Sequence, residues 1–404
     1  MTVIALIREW KTPPDRRVAL TPEQCAQIQA QYPDVRIVVQ TSLIRCFSDE
    51  EYSAKGIEIK EDVSDADIFL GVKEVPVQKL IPHKTYLFFS HTIKKQQHNR
   101  KLLQAVLAQN IRLIDYETLT NEQGERVIAF GRYAGLVGAY NAFRTWGERY
   151  KTFTLKPANA CFDLEEMWSE CAKIKLPAIK IALTGSGRVG GGALETLQKA
   201  RILQVSPADF LSKQYNEPVF AQLNSKDYHK HKNGESFDRI EFHQSPENFS
   251  STFMDYAKVS DMLIAAAFWH PRAPMLFTKP DMRSSDFKIK VIADITCDID
   301  GSIPSTLAAS SIAEPFYDYC PHHESMVLPF SKDTHITVMA IDNLPCELPR
   351  NASNDFGKQL VNNVLPALLL SKLNPTDGMI KRATIAEDGL LTKDYSYLQD
   401  YVNA

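Results

Sequence analysis

Lys73, His91 and Glu117 stand directly after, or just beyond, three successive apolar runs, residues 68–72, 86–89 and 111–114. In a parallel sheet equivalent strand ends share one edge, and open α/β folds bind ligands at that carboxyl edge. The three side chains are therefore expected to converge. A lysine desolvated there can lose its proton near neutral pH, while a carboxylate beside it, Glu74 or Glu117, pulls its charge back. That balance tunes a base; taken singly, each residue is equally compatible with an ordinary strand-end ion pair. Two arginines add a second kind of chemistry. Arg17 follows Arg16 at the end of a Pro-containing loop, ahead of Thr21 as a helix N-cap and Pro22 as the first helical residue. A guanidinium held at such a loop end can grip a carboxylate with two parallel hydrogen bonds. Arg126, just before residues 127–130, is the second candidate clamp. For either alone, the plain alternative is a solvated loop charge.

Gly185, Ser186, Gly187, Arg188, Val189 and Gly190 form a G-x-G-x-x-G turn between a strand-like run, 179–183, and a helical pattern, 193–200. The motif requires that context. Its first glycine permits the tight turn, its second lets backbone N–H groups approach a pyrophosphate, and the helix N-terminus adds positive potential. A purely structural glycine turn is the alternative. The acid that usually follows about 20 residues later and binds the ribose 2′-hydroxyl is missing. Ser206 ends the run 202–205 instead, with Asp209 beyond it. A serine tolerates a 2′-phosphate that a carboxylate would repel, so both NAD(H) and NADP(H) stay open. The pairs His229/His231 and His322/His323 have no evident third ligand in the sequence, and no metal is expected.

These residues need a scaffold that alternates strands and helices. Strand-like runs fall at 3–7, 37–39, 68–72, 86–89 and 111–114, with a helical pattern over 94–110 long enough for a right-handed crossover. A mixed passage over 151–177 precedes a second alternation, at 179–183, 202–205, 262–267 and 291–295. The polar stretch 213–251 reads as a solvated insertion around helices. Near the end, a strand over 336–341 meets Asp342, Asn343 and Leu344. A helix follows from about residue 353, with Leu360, Val361, Val364, Leu365 and Leu368 on one face. The predicted class is α/β, with two doubly wound, mainly parallel units.

At 404 residues the chain is long enough for two domains. Forty-six basic against 49 acidic side chains, a net charge of −3, offer no global attraction for nucleic acid or an anionic membrane, so the expected partners are small molecules. Seven cysteines without C-x-x-C spacing, no signal-like start and no run of 18 apolar residues lead us to expect a reducing, cytoplasmic setting. The number of subunits is not readable.

Several segments carry a resemblance in order along the chain: residues 17–22, 71–74, 90–94, 114–117, 126–131, 133–135 and 341–345. Together they resemble the lysine-forming saccharopine dehydrogenases, and especially the lysine–ketoglutarate reductase domain of bifunctional lysine-degrading enzymes. The wider group includes alanine dehydrogenase and the soluble part of proton-translocating transhydrogenase. The resemblance implies two Rossmann-like domains with the active site in the cleft between them. Residues 1–140 would form the first part of a substrate domain, 141–332 the dinucleotide domain, and 333–404 a return segment completing the first. It also implies interconversion of saccharopine and water with L-lysine, 2-oxoglutarate and reduced NAD or NADP. Carried over by position, Lys73 would take the amine proton and His91 would handle imine hydrolysis. Arg17, Arg126 and Lys94 would lie on the substrate side, with Glu74 and Glu117 tuning Lys73. The phosphate turn would be 185–190, with Ser206, Asp294, Asp342, Asn343 and Leu344 also near the cofactor. The alternatives are an alanine dehydrogenase-like enzyme and a dinucleotide-binding protein without catalysis.

Overall fold

The computed structural model describes residues 1–371 and 378–404. It divides into two compact units, Met1–Phe130 with Pro349–Ala404, and Gly131–Leu348. The passages expected near 140 and 333 therefore shift, for two physical reasons. The helix Gly131–Tyr150 lies along the helix Arg188–Lys199, so it travels with the second unit from its first residue. The strand 336–339 pairs with 291–293 in the second sheet, so the return to the first unit comes only at Pro349.

The first unit is built on β1 (Thr2–Leu6), β2 (Val35–Gln40), β3 (Glu58–Lys60), β4 (Ile68–Leu70), β5 (Thr85–Phe88) and β6 (Arg112–Asp115). All pair in parallel in the order β6-β5-β4-β1-β2-β3, and Thr384–Glu387 with Leu390–Leu391 adds an antiparallel edge beside β6. Strand periodicity sends Ile4, Ile37, Ile68, Leu87 and Ile114 to one face and Ala5, Val38, Phe69 and Phe88 to the other. Both faces are covered. Leu360, Val361, Val364, Leu365 and Leu368 pack on the first face, which settles where the C-terminal helical face belongs. Each large side chain so buried is worth about 1.5–3 kcal/mol. Thr21 caps Pro22–Gln31 through a reciprocal bond pattern with Gln24, as its sequence position predicts. The helix predicted over 94–110 is shorter, Arg100–Ala108, because Lys95 takes a left-handed φ of +53° and breaks the path into two short turns before it.

The second unit carries β7 (Lys180–Thr184), β8 (Leu203–Gln204), β9 (Val219–Leu223), the hairpin β10 (His229–His231) and β11 (Phe249–Ser251), then β12 (Met262–Ala265), β13 (Val291–Asp294), β14 (Tyr317–Cys320), β15 (Ser325–Val327) and β16 (Ile336–Met339). Its main sheet runs β15-β14-β16-β13-β12-β7-β9-β8, parallel except for β14 and β15. The stretch 213–251 is not simply an insertion. Its segment 219–223 is an interior strand beside β7, hidden from a sequence reading by the polar residues on either side of one short apolar run. No helix among the described residues is long and apolar enough to cross a membrane. All seven cysteines are free thiols.

Candidate active site

In the first unit β1, β4, β5 and β6 are parallel, so their carboxyl ends bring Glu9, Lys73 with Glu74, His91 and Glu117 to one edge. Glu74 and His91 meet directly, with Nδ1 of His91 2.5 Å from Oε1 of Glu74. A carboxylate oxygen only accepts, so Nδ1 carries the hydrogen and Nε2 is left to exchange a proton. Burial alone would raise the Glu74 pKa, but the hydrogen bond and charge of His91 outweigh it and hold the carboxyl at about 2. Lys11 Nζ lies 3.9 Å from the other Glu74 oxygen. His91 adopts a left-handed φ of +52°, a conformation fixed by the turn leaving β5.

Lys73 is largely desolvated, and its Nζ has no hydrogen-bond or ion-pair partner among the described residues. Burial lowers its pKa and the charge of Arg17 lowers it further, against opposing pulls from Glu74 and Asp15. Those are the charges that act on it most. Glu117, expected to tune Lys73, pairs instead with Lys94 Nζ at 3.2 Å and lies 4.0 Å from Arg126 Nη1, because the turn after β6 points it toward those two cations. Arg17 is no solvated loop charge. It is 3% exposed, grips Asp15 through Nε at 3.0 Å and Nη2 at 2.6 Å, and lies 4.2 Å from the Phe130 ring centre. Arg16 next to it faces solvent.

Glu9 has no counterpart in the sequence reading. Its buried carboxylate accepts the backbone N–H groups of Val72 at 2.7 Å and Lys73 at 2.9 Å, clamping the turn that presents Lys73. Desolvation, then the nearby Asp15, push its pKa up to about 8 despite those bonds. The available signal was positional: an acid shortly after β1, the strand next to β4.

In the second unit the glycine turn divides its roles. Gly185 has φ +92°, and a Cβ there would lie 2.8 Å from the Ala266 carbonyl oxygen. A Cβ on Gly190 would come within 2.2 Å of the Gly185 carbonyl oxygen, whereas one on Gly187 would meet nothing within 4 Å. Gly187 is also the N-cap of Arg188–Lys199, with no side chain capping the helix. The first and third glycines serve the turn and close packing; the second leaves open backbone. Beside it lies a cavity of about 780 Å³, walled by the turn, by residues 224–226 just after β9, by the loop after β12 and by parts of 228–246.

Other expected cofactor positions do other work. Ser206 follows the edge strand β8, separated from β7 by β9, and its Oγ caps the helix Pro207–Ser212 by accepting Asp209 N–H at 3.1 Å. It does not line the cavity. Asp294 is fully buried and fastens its own loop, accepting Thr296 Oγ1 and Thr306 Oγ1 at 2.6 Å each. Asp342 is tied through its N–H to Ser310, Asn343 turns at φ +67°, and Leu344 is buried. His231 does gain acidic neighbours that the sequence did not reveal, Glu235 and Glu241. Its Nδ1 accepts Asn233 N–H at 3.2 Å, so Nε2 bears the hydrogen facing Glu241 and offers a cation no lone pair.

Residues 5–137 match the family model described as alanine dehydrogenase/PNT, N-terminal domain. The alpha-aminoadipic semialdehyde synthase of Arabidopsis thaliana is 30% identical over 98% of this chain and 41% of its own length. The mitochondrial protein of that name from Rattus norvegicus is 31% identical over 98% and 47%. The chain thus spans less than half the length of these relatives. Saccharopine dehydrogenase (NAD(+), L-lysine-forming) of Emericella nidulans is 25% identical over 89% of this chain and 90% of that protein. Among solved structures, an L-alanine dehydrogenase aligns with a TM-score of 0.66 at 17% identity over 100% and 99% of the two chains. The transhydrogenase from Sinorhizobium meliloti aligns with a TM-score of 0.59 at 14% identity over 96% and 98%. These two structures share the fold. The first-domain match, the likeness to these relatives and the two mainly parallel sheets agree: residues 5–137 are similar to the alanine dehydrogenase/PNT N-terminal domain, and the whole chain shares the fold of the alanine dehydrogenase and transhydrogenase structures.

Proposed function

We propose that the protein is a nicotinamide-dependent oxidoreductase that interconverts saccharopine and water with L-lysine and 2-oxoglutarate through an imine. The observation that carries this reading is the strand edge of the first unit, where a desolvated Lys73 amine, a His91 imidazole with Nε2 open, and the buried Arg17 stand together. The relatives named above support the choice of substrates. The glycine turn fits a dinucleotide, because Gly187 leaves open backbone where phosphate oxygens would approach. When bound, the nicotinamide supplies hydride acceptance and donation at the carbon bearing the substrate nitrogen.

The chain's own groups manage protons and charge. In saccharopine oxidation the secondary amine must lose a proton as the C=N bond forms, and Lys73, its pKa lowered by burial, is the base for it. His91 takes a proton through Nε2 from the water that adds to the imine carbon and passes it to the nitrogen; as the carbonyl forms, the hydroxyl proton follows the same route to the departing lysine amine. The Glu74 carboxylate holds Nδ1–H throughout and stabilises the imidazolium between those events. Arg17 and Arg126 hold substrate carboxylates, with Lys94 beside Glu117 on the same edge. We place the enzyme in a reducing compartment, the cytoplasm, on its seven free thiols.

Steady-state assays of the purified protein with lysine, 2-oxoglutarate and NADH or NADPH test the reading. Turnover of both organic substrates together is expected. Turnover of pyruvate and ammonia, with none of lysine and 2-oxoglutarate, would replace it with the alanine dehydrogenase-like reading that the first-domain match favours. Nucleotide binding with no turnover of either pair would point to a non-catalytic dinucleotide-binding protein.

A further inference from the structure

Arg17 and Phe130 both stand on loop backbone, Arg17 between β1 and the helix Pro22–Gln31, Phe130 immediately before the helix Gly131–Tyr150. Loop backbone has no ladder of its own, so its N–H and C=O groups need partners from elsewhere. These two loops find them on one helix, Pro349–Gln359, and on the π turn Leu360–Val364 that continues it. Ser353 Oγ accepts the N–H of Val18, the residue after Arg17, at 2.9 Å. Gln359 pairs with both backbone groups of Ala129, its Oε1 accepting the N–H at 3.0 Å and its Nε2 donating to the carbonyl at 3.2 Å. Asn363 Nδ2 donates to the Val127 carbonyl at 3.2 Å.

Between Ser353 and Gln359 the same side of the helix carries Phe356. Its fully buried ring stacks on Phe130, with ring centres 4.4 Å apart and an interplanar angle of 5°. The Arg17 guanidinium carbon lies 4.2 Å from the Phe130 ring centre, too near to sit at the ring's edge, so Arg17 and Phe356 take opposite faces. Tyr116 closes in the aromatic pair, edge-on to Phe356 at 5.1 Å. Asp15 fixes the cation within its own plane through Nε and Nη2, and the Phe130 face fixes the tilt of that plane. A planar, bidentate grip on a carboxylate needs both.

We propose that Ser353, Phe356 and Gln359 are positioning residues, which hold the Arg17 guanidinium in the orientation that grips a substrate carboxylate. This rests on the reading of Arg17 as a carboxylate clamp. The full chain is measured by steady-state kinetics with 2-oxoglutarate, and by calorimetric titration with glutarate, a dicarboxylate that cannot react, with NADH or NADPH present. Phe356→Leu keeps an apolar side chain but removes the stacked face; it should raise the KM for 2-oxoglutarate and the Kd for glutarate about tenfold, with kcat within about threefold. Gln359→Leu, at a half-buried site, should raise both about fivefold. Lys358→Ala, exposed on the same helix, should change neither. Arg17→Gln is the reference: in that background either substitution should add less than about twofold, because each acts through the same contact. Thermal melts separate folding from grip, and should Phe356→Leu fail to fold, Gln359→Leu decides alone. Parental KM and Kd in the helix variants, an equal change in Lys358→Ala, or an effect that survives undiminished in Arg17→Gln overturns the proposal and leaves the clamp standing. If Arg17→Gln itself leaves KM and Kd unchanged, or the parent neither turns over 2-oxoglutarate nor binds glutarate, the reading of Arg17 falls and takes the proposal with it.

Discussion

The strand edge of the first unit and the glycine turn of the second do opposite things with side chains. At the edge, chemistry is assembled from side chains that hold one another: Glu74 on His91, Asp15 on Arg17, Glu9 on the backbone of Lys73. At the turn it is assembled by leaving side chains out, so that backbone approaches backbone at Gly185 and Gly190 and a ligand can approach at Gly187. Damage at the edge should therefore appear as a slower chemical step in an intact fold. Damage at the turn should divide according to which glycine is filled.

The largest effect is expected from Lys73→Met, which should lower kcat by about 10³ while nucleotide affinity stays within about twofold, measured by steady-state kinetics beside fluorescence titration. An unchanged kcat would remove Lys73 from the proton chemistry and erase the contrast. Gly135→Ala breaks packing in the second unit, because its Cβ would sit 1.9 Å from the Val189 carbonyl oxygen. We expect about 2–3 kcal/mol of lost stability in denaturant melts. His91→Gln should cost about 10² in kcat, and a normal turnover number would contradict the role of Nε2. Gly187→Val sharpens the comparison, since its Cβ meets nothing within 4 Å. Its melting temperature should match the parent while dinucleotide affinity falls by about tenfold.

The smallest effect separates two glutamates on the same edge. The Glu74 carboxyl, held at about 2 against an ordinary 4.5, contributes stability that is complete above pH 4.5 and lost as pH falls toward 2. Glu9, raised to about 8, runs the other way. The native state holds that proton more tightly than the unfolded chain, so stability falls as pH rises from 4.5 to 8. Relative to the parent, Glu9→Gln should gain about 1–2 kcal/mol in melts between pH 5 and pH 8. A flat difference over that range would show that Glu9 is ionised in the folded protein at pH 5.

Much of this layout was legible beforehand. The glycine spacing, the apolar runs, and Lys73 and His91 beyond them are local patterns, and local patterns survive in a sequence because turns and strands obey short-range sterics and periodicity. What escaped was set by neighbours distant in the chain. Asp294 and Ser206 have suitable types and positions, yet one is consumed by its own loop and the other caps a helix at the sheet edge. Glu117 was placed on the right edge and given the wrong partner.

Residue types, strand runs and the turn's chemistry were thus determined by the sequence alone. Strand order was decided by the tertiary structure. Placing β9 between β7 and β8 moved the strand end beside the glycine turn from Ser206 to Asn224. Because sheet neighbours are chosen by hydrogen bonding and burial across the chain, no count of residues along it can identify them.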